Sequence, residues 1–224
     1  MRLGRLLFSA LMLTLMARPA SAAWLEAESD HFIVYSKGSE ADLREQVRLL
    51  EDFDQLLRAL TGAPKDAPAN KLSIYLVHEN NGLRKVINAG DGYAGFYLAT
   101  PGGTAAFALA RERIHYDIGD VVFHEYAHHF MMQNFPGNYP SWYVEGFAEY
   151  LATADFGDTY VDVGRYERNL ASWLRGEWFT LDRMLRSDTD WVGGTQFYAQ
   201  SWLMVHYLMR DPERRNALQA YLKA

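Results

Sequence analysis

Apolar and polar residues alternate over residues 31–37 (HFIVYSK), the period-two pattern of a half-buried strand. The period then lengthens. Ser39 opens a helix, with Asp42 three residues on as a capping-box partner, and Leu49, Leu50, Phe53, Leu56, Leu57 and Leu60 follow at helical spacing. Thr61-Gly62 ends that helix, and a loop with Pro64 and Pro68 leads to a second strand at 71–78 (KLSIYLVH). Residues 80–91 carry only a weak pattern, compatible with one short helix. Residues 93–100 (YAGFYLAT) and 104–110 (TAAFALA) read as strands joined by the turn signal Pro101-Gly102-Gly103. From about Ile118 helical spacing dominates, over 118–133, 141–154, 165–175, 195–210 and 212–223. Asp211-Pro212 supplies an N-cap and a first-turn proline for the last of these.

This order predicts an α+β fold: a mixed, strand-rich N-terminal lobe (23–117) and a helical C-terminal lobe (118–224), with a cleft where they meet. A chain of 224 residues suffices for one domain with a real core or for two small lobes. With 49% hydrophobic and 22% charged residues and no internal repeat, the balance is that of a globular protein and excludes a disordered or fibrous chain.

Residues 1–22 stand apart. Arg2 and Arg5 precede an apolar run from Leu6 to Met16, and Ala20-Ser21-Ala22 offers the small residues a signal peptidase reads. The run is shorter than the roughly 20 residues a membrane span needs, so a cleaved export signal is expected and no integral span after its removal. Loss of this segment takes away Arg2, Arg5 and Arg18 and no acids, which moves the formal charge from −6 to −9. So acidic a protein is a poor binder of nucleic acid. The absence of cysteine excludes disulfides and a lipidated N-terminal cysteine, which leaves packing and a metal as sources of stability. A bacterial periplasmic or secreted location fits.

The chemistry lies at the lobe boundary, in His124-Glu125-Tyr126-Ala127-His128. Four residues are about one helical turn, so both imidazoles project from one face and can reach a single tetrahedral zinc ion. Glu125 projects about 100° further round. There it can act as general base on the water in the ion's open position. Two histidines at this spacing also arise by chance, so a third ligand decides. The helix breaks at residues 134–138 (NFPGN), and Pro140-Ser141 begins a second helix with Ser141 as the expected N-cap. Its sequence, Trp142-Tyr143-Val144-Glu145-Gly146-Phe147-Ala148-Glu149-Tyr150, is apolar nearly all round. Carboxylates on such a helix need partners. Folding back antiparallel brings Glu145 to the histidines as third metal ligand, with Gly146 permitting close helix approach. Glu149, one turn on, is placed to accept a hydrogen bond from the outer nitrogen of His124.

HEYAH followed by WYVEGFAE resembles the gluzincin zinc metallopeptidases, the thermolysin and aminopeptidase N clan, and more closely the bacterial peptidase-MA-like proteins. The similarity runs from about Trp24 to Leu208. It implies a thermolysin-like zincin catalytic domain over 23–224, bound Zn2+ and a peptide or protein substrate. It also implies a tyrosine at the start of a later helix that donates to the developing oxyanion; Tyr198 matches that position, with His206 a weaker substitute. The aminopeptidases carry a Gly-x-Met-Glu-Asn segment that grips a free amine. Residues 92–100 (GYAGFYLAT) stand there instead and read as an edge strand able to pair with an extended peptide, which favours endopeptidase action.

His129 points away from the ligand face, and His31, His78 and His115 have no partner spacing; all are expected to be structural or on the surface. Trp173, Trp178, Trp191 and Trp202 are expected in the core or a groove wall. Two other functions fit the same residues: a zinc-stabilised module that binds a peptide or envelope polymer without cutting it, and a hydrolase of a non-peptide amide. Glu125 argues against the first, since a pure binder has no need of a base there.

Overall fold

The computed structural model of the protein describes residues 24–65, 71–77, 95–100, 103–109, 118–165, 168–186 and 194–223. The expected signal segment, the weak helix at 80–91, His78, His115 and Trp191 lie outside them. The fold is α+β. Strands β1 (Leu25–Glu28) and β2 (Phe32–Ser36) pair antiparallel, and helix α1 (Glu40–Thr61) then crosses to β3 (Leu72–Val77), which lies parallel to β2. A parallel neighbour needs such a crossover, and α1 supplies it. Strands β4 (Gly95–Thr100) and β5 (Gly103–Leu109) form an antiparallel pair whose inner member, β5, is parallel to β3. The sheet order is β1-β2-β3-β5-β4, so among the described residues β4 is an edge strand, as its sequence predicts.

Strand alternation gives the sheet two unlike faces. Phe32, Val34, Leu72, Ile74, Leu76, Ala106 and Ala108 are buried against α1 and α2 (Ile118–Asn134). On the other face Tyr35, Tyr75, Phe107 and Phe96 stack in sequence across four strands at 4.7–4.9 Å between ring centres.

Helix α1 starts and stops where its sequence says. The Ser39 hydroxyl accepts from the Asp42 backbone N–H, a cap of about 1 kcal/mol, and Gly62 takes the left-handed conformation at φ 75° that closes the C-terminus. Its buried face differs from expectation. Leu60 is half-exposed, whereas Asp54 and Arg58 are buried.

Helix α3 (Ser141–Ala152) follows α2 after a short loop. Ser141 is not its N-cap. Pro140 is, because its carbonyl accepts the first helical bonds, from the backbone N–H groups of Tyr143 and Val144, and Ser141 is already the first helical residue. Then come the pair β6 (Asp155–Phe156) and β7 (Val161–Asp162), and helices α4 (Arg168–Trp173), α5 (Leu181–Leu185), α6 (Thr195–Met209) and α7 (Pro212–Tyr221). The second half is therefore not purely helical. Asp211 caps α7 by accepting from the Arg214 N–H, with Pro212 in the first turn.

The lobe boundary falls one helix later than the change in periodicity. Val122, Phe123, Tyr126, Ala127 and Phe130 of α2 pack into the same core as the sheet. A second core gathers Trp142, Met184, Phe197, Val205 and Leu218 from α3, α5, α6 and α7. Helix α3 joins the two, since its Phe147, Ala148 and Leu151 belong to the first. The histidine helix thus belongs to the sheet lobe, and the carboxylate helix bridges to the helical lobe. Among the described residues, no helix is long and apolar enough to cross a membrane.

Candidate metal centre

His124 and His128 sit one turn apart on α2, and Glu145 faces them from α3. Their ligand atoms form a nearly equilateral triangle: Nε2 to Nε2 is 3.0 Å, and Glu145 Oε2 is 3.4 Å from each Nε2. A tetrahedral ion with bonds of about 2.0–2.1 Å holds its ligand atoms about 3.3 Å apart, so the triangle has the size of one face of a zinc site. Glu145 Oε2 is buried with no hydrogen-bond partner among the described residues. A buried carboxylate oxygen left this way is costly unless something else faces it. The donor set, two imidazoles and one carboxylate, suits zinc, and these residues fit such an ion.

Glu149 stands where the sequence places it, its Oε1 3.4 Å from Nδ1 of His124. That separation is an ion-pair distance, longer than a formed hydrogen bond, and the carboxylate faces the outer nitrogen while Nε2 faces the triangle. The charges are mutually adjusted. Burial alone would raise the Glu145 carboxyl, but the two imidazoles overcome it and bring it down to about 2. Burial lowers the His124 imidazole, and Glu145, Glu149 and Glu125 more than offset this, so it is raised. Glu125 is raised above the ordinary carboxylate range by burial, which His124 and His128 offset only in part. Glu149 is raised by burial as well. A carboxyl shifted upward is a better proton acceptor near neutrality than an exposed one.

Tyr198 lies in the first turn of α6, and its ring stands edge-on to the His124 ring at 6.2 Å between centres. His206, two turns further on, packs against Trp202 at 4.9 Å and Tyr150 at 6.1 Å and makes no contact with the triangle among the described residues. The route by which Tyr198 arrives corrects one expectation. Gly146 was expected to let the two ligand helices approach. Instead, a Cβ on Gly146 would overlap the Ser201 carbonyl oxygen and the Val205 side chain, both on α6. The glycine admits the tyrosine helix.

The back of the histidine helix carries a second polar cluster that sequence reasoning missed. The Tyr126 hydroxyl, from the middle of the motif, donates to Asp54 Oδ1 at 2.5 Å. Arg58 Nε donates to Asp54 Oδ2 at 2.6 Å. His31, which has no partner spacing in the sequence and was expected to be structural or on the surface, is structural: it lies 2.7 Å from Glu51 and 3.4 Å from Asp54. The available signal was Asp54 and Arg58 at a four-residue spacing inside the apolar face of α1. His129 is no ligand: its Nδ1 lies 3.0 Å from the Tyr97 hydroxyl on β4, and burial pushes the imidazole down to about 4. Trp202 is buried and Trp173 packs beside it, but Trp178 is more than half exposed, held at the surface where its indole N–H donates to the Leu174 carbonyl.

The similarity to known proteins centres on this half of the chain. A family model described as a protein of unknown function (DUF1570) matches residues 119–224, from the first turn of α2 onward. The matched stretch holds His124, Glu125, His128, Glu145, Glu149 and Tyr198 and leaves out the sheet. No curated protein matches the chain.

Proposed function

We propose that the protein is an exported, zinc-dependent peptidase acting within extended peptides. One observation carries the reading: three ligand atoms spaced 3.0–3.4 Å apart, one of them a buried carboxylate oxygen without a hydrogen bond, beside a glutamate whose proton affinity is raised. The ion, when held by His124, His128 and Glu145, supplies Lewis acidity that activates water and polarises a carbonyl. Glu125 takes the proton from the attacking water on its carboxylate and passes it to the leaving amine. Tyr198 donates a hydrogen bond from its hydroxyl to the developing oxyanion. Among the described residues β4 pairs only with β5, so its outer edge is available to pair with an extended substrate. Tyr97 and His129 tie that strand to the ligand helix, and a Cβ on Gly95 would overlap Val121 of α2, so the strand packs along the helix that carries the histidines. Backbone pairing of this kind needs no free terminus, which favours endopeptidase action.

The test is hydrolysis of an unstructured protein such as casein, with and without chelator, beside Glu125→Gln. We expect chelator-sensitive cleavage, lost in Glu125→Gln while one equivalent of zinc remains bound. Zinc binding without any cleavage by the unaltered protein would instead favour a binding module or a hydrolase of a non-peptide amide.

A further inference from the structure

The ligand helix α2 is held from behind as well as from the front. Phe123, Tyr126, Ala127 and Phe130 are buried in the core it shares with α1 and the sheet, and Phe123 stacks on Phe53 of α1 at 4.1 Å between ring centres. Apolar contacts of this kind are non-directional, so by themselves they let a helix roll about its axis. Of these four residues Tyr126 alone carries a polar group on its side chain. Its hydroxyl donates to Asp54 Oδ1 at 2.5 Å, a bond with a preferred direction as well as a length. Burial and the Asp54 carboxylate both push the phenol upward, so it keeps its proton and donates. Asp54 is itself fixed. It is fully buried, and Arg58 Nε donates to its other oxygen. The Arg58 guanidinium also donates to the Pro64 carbonyl and lies over the Phe130 ring of α2.

Tyr126 stands midway between the two histidines. It lies about 200° round the helix from each, opposite the middle of the face that carries the imidazoles. A roll of about 10° would carry an imidazole nitrogen, about 6 Å from the helix axis, roughly 1 Å sideways. A metal constellation tolerates about 0.5 Å. We infer that Tyr126 and Asp54 are positioning residues for the metal: their hydrogen bond sets the rotation of α2, and so the placing of His124 and His128 against Glu145 on α3. The inference rests on the metal centre proposed above and not on which bond that centre cleaves. If Tyr126 served stability alone, its loss would leave the ion as tightly held as before in the folded protein.

Three measurements are made together: zinc affinity by competition with a chromophoric chelator, the visible spectrum of the cobalt-substituted protein, and denaturant unfolding. Tyr126→Phe keeps the ring and removes the hydroxyl. Asp54→Ala removes the same bond from the side of α1, and reads it if Tyr126→Phe folds poorly. Val34→Ala opens a cavity in the same core away from the polar contacts, and controls for lost stability alone. Tyr126→Phe should keep one equivalent of zinc, bind it about tenfold more weakly, as loss of an outer partner does, and shift the cobalt bands. The folded fraction of Asp54→Ala should show the same fall. Val34→Ala should lose stability and keep the affinity and spectrum of the unaltered protein. Affinity that falls in step with stability in all three variants would overturn the positioning role and leave the metal centre intact. So would an affinity and spectrum unchanged in Tyr126→Phe and Asp54→Ala. An unaltered protein that takes up no zinc would overturn the metal centre itself.

Discussion

Two clusters of histidine and carboxylate lie on opposite sides of the same structural layer, and both have ligand atoms close enough to share an ion: His124, His128 and Glu145, and His31, Glu51 and Asp54. Composition does not separate them; hydrogen bonding does. Asp54 is fully engaged, with Arg58 on one oxygen and Tyr126 on the other, and Glu51 accepts from the backbone N–H and the ring of His31. A cation, the Arg58 guanidinium, is already in place there, and a divalent ion beside it would be repelled. In the other cluster, Glu145 Oε2 has no hydrogen bond and faces two imidazole nitrogens. His31 Nε2 also lacks a hydrogen bond among the described residues, so the difference lies in the carboxylates: those of Glu51 and Asp54 are engaged on both oxygens, as in a brace, and Glu145 keeps one oxygen for a candidate ion. The brace is attached to the site, since Tyr126 belongs to the ligand helix and fixes its rotation from behind.

The contrast can be broken by substitution. The largest effect should come from the ligands: His128→Ala should lose its stoichiometric zinc by elemental analysis, while His31→Ala keeps it. Zinc retained in the first and lost in the second would exchange the two assignments. Next, Asp54→Ala strands the buried Arg58 charge and should cost about 3–5 kcal/mol in denaturant unfolding, with zinc stoichiometry kept by the folded fraction. Smaller again, Glu149→Gln should weaken zinc affinity by about 10–100-fold in competition with a chelator, since it removes only the partner that orients His124.

A last effect concerns pH. In chelated protein the Glu145 carboxyl is held at about 2, below its ordinary 4.5. Its contribution to stability is therefore complete above about pH 4.5 and is lost as pH falls towards about 2. Glu125 and Glu149 are raised, so their contributions run the opposite way, fading as pH rises from the ordinary carboxylate range. Unfolding of chelated wild type and Glu145→Gln across that range isolates the first term. The acid loss should be steeper in wild type, and parallel curves would refute the depressed value.

Much of this was legible in the chain itself because the signals are local. Ser39 and Gly62 mark the ends of α1, and the HEYAH spacing and the two carboxylates of α3 place a ligand face without knowledge of the sheet. What escaped is non-local or short. β1 (LEAE) carries two glutamates in four residues and becomes a strand only by pairing with β2. β6 and β7 are two residues each, too short for any period to register. α5 is only five residues long, although its Thr180 cap and Asp182 in the first turn were readable. The parallel pairing of β2, β3 and β5 depends on where α1 packs, and the partners of Asp54 come from segments 23 residues before it and 72 after.

Gly146, the glycine after Glu145, bears on the reading of other sequences. Next to a metal-binding glutamate, a glycine looks like part of the ligand chemistry. Here it faces away from the triangle and registers the pressure of a third helix against the second. A related chain with a bulky residue at that place could keep all three ligands and still hold its tyrosine helix further out. The pair Glu-Gly is therefore a marker with two separable meanings: the first letter reports the capacity to hold an ion, and the second reports how closely the later helix crosses.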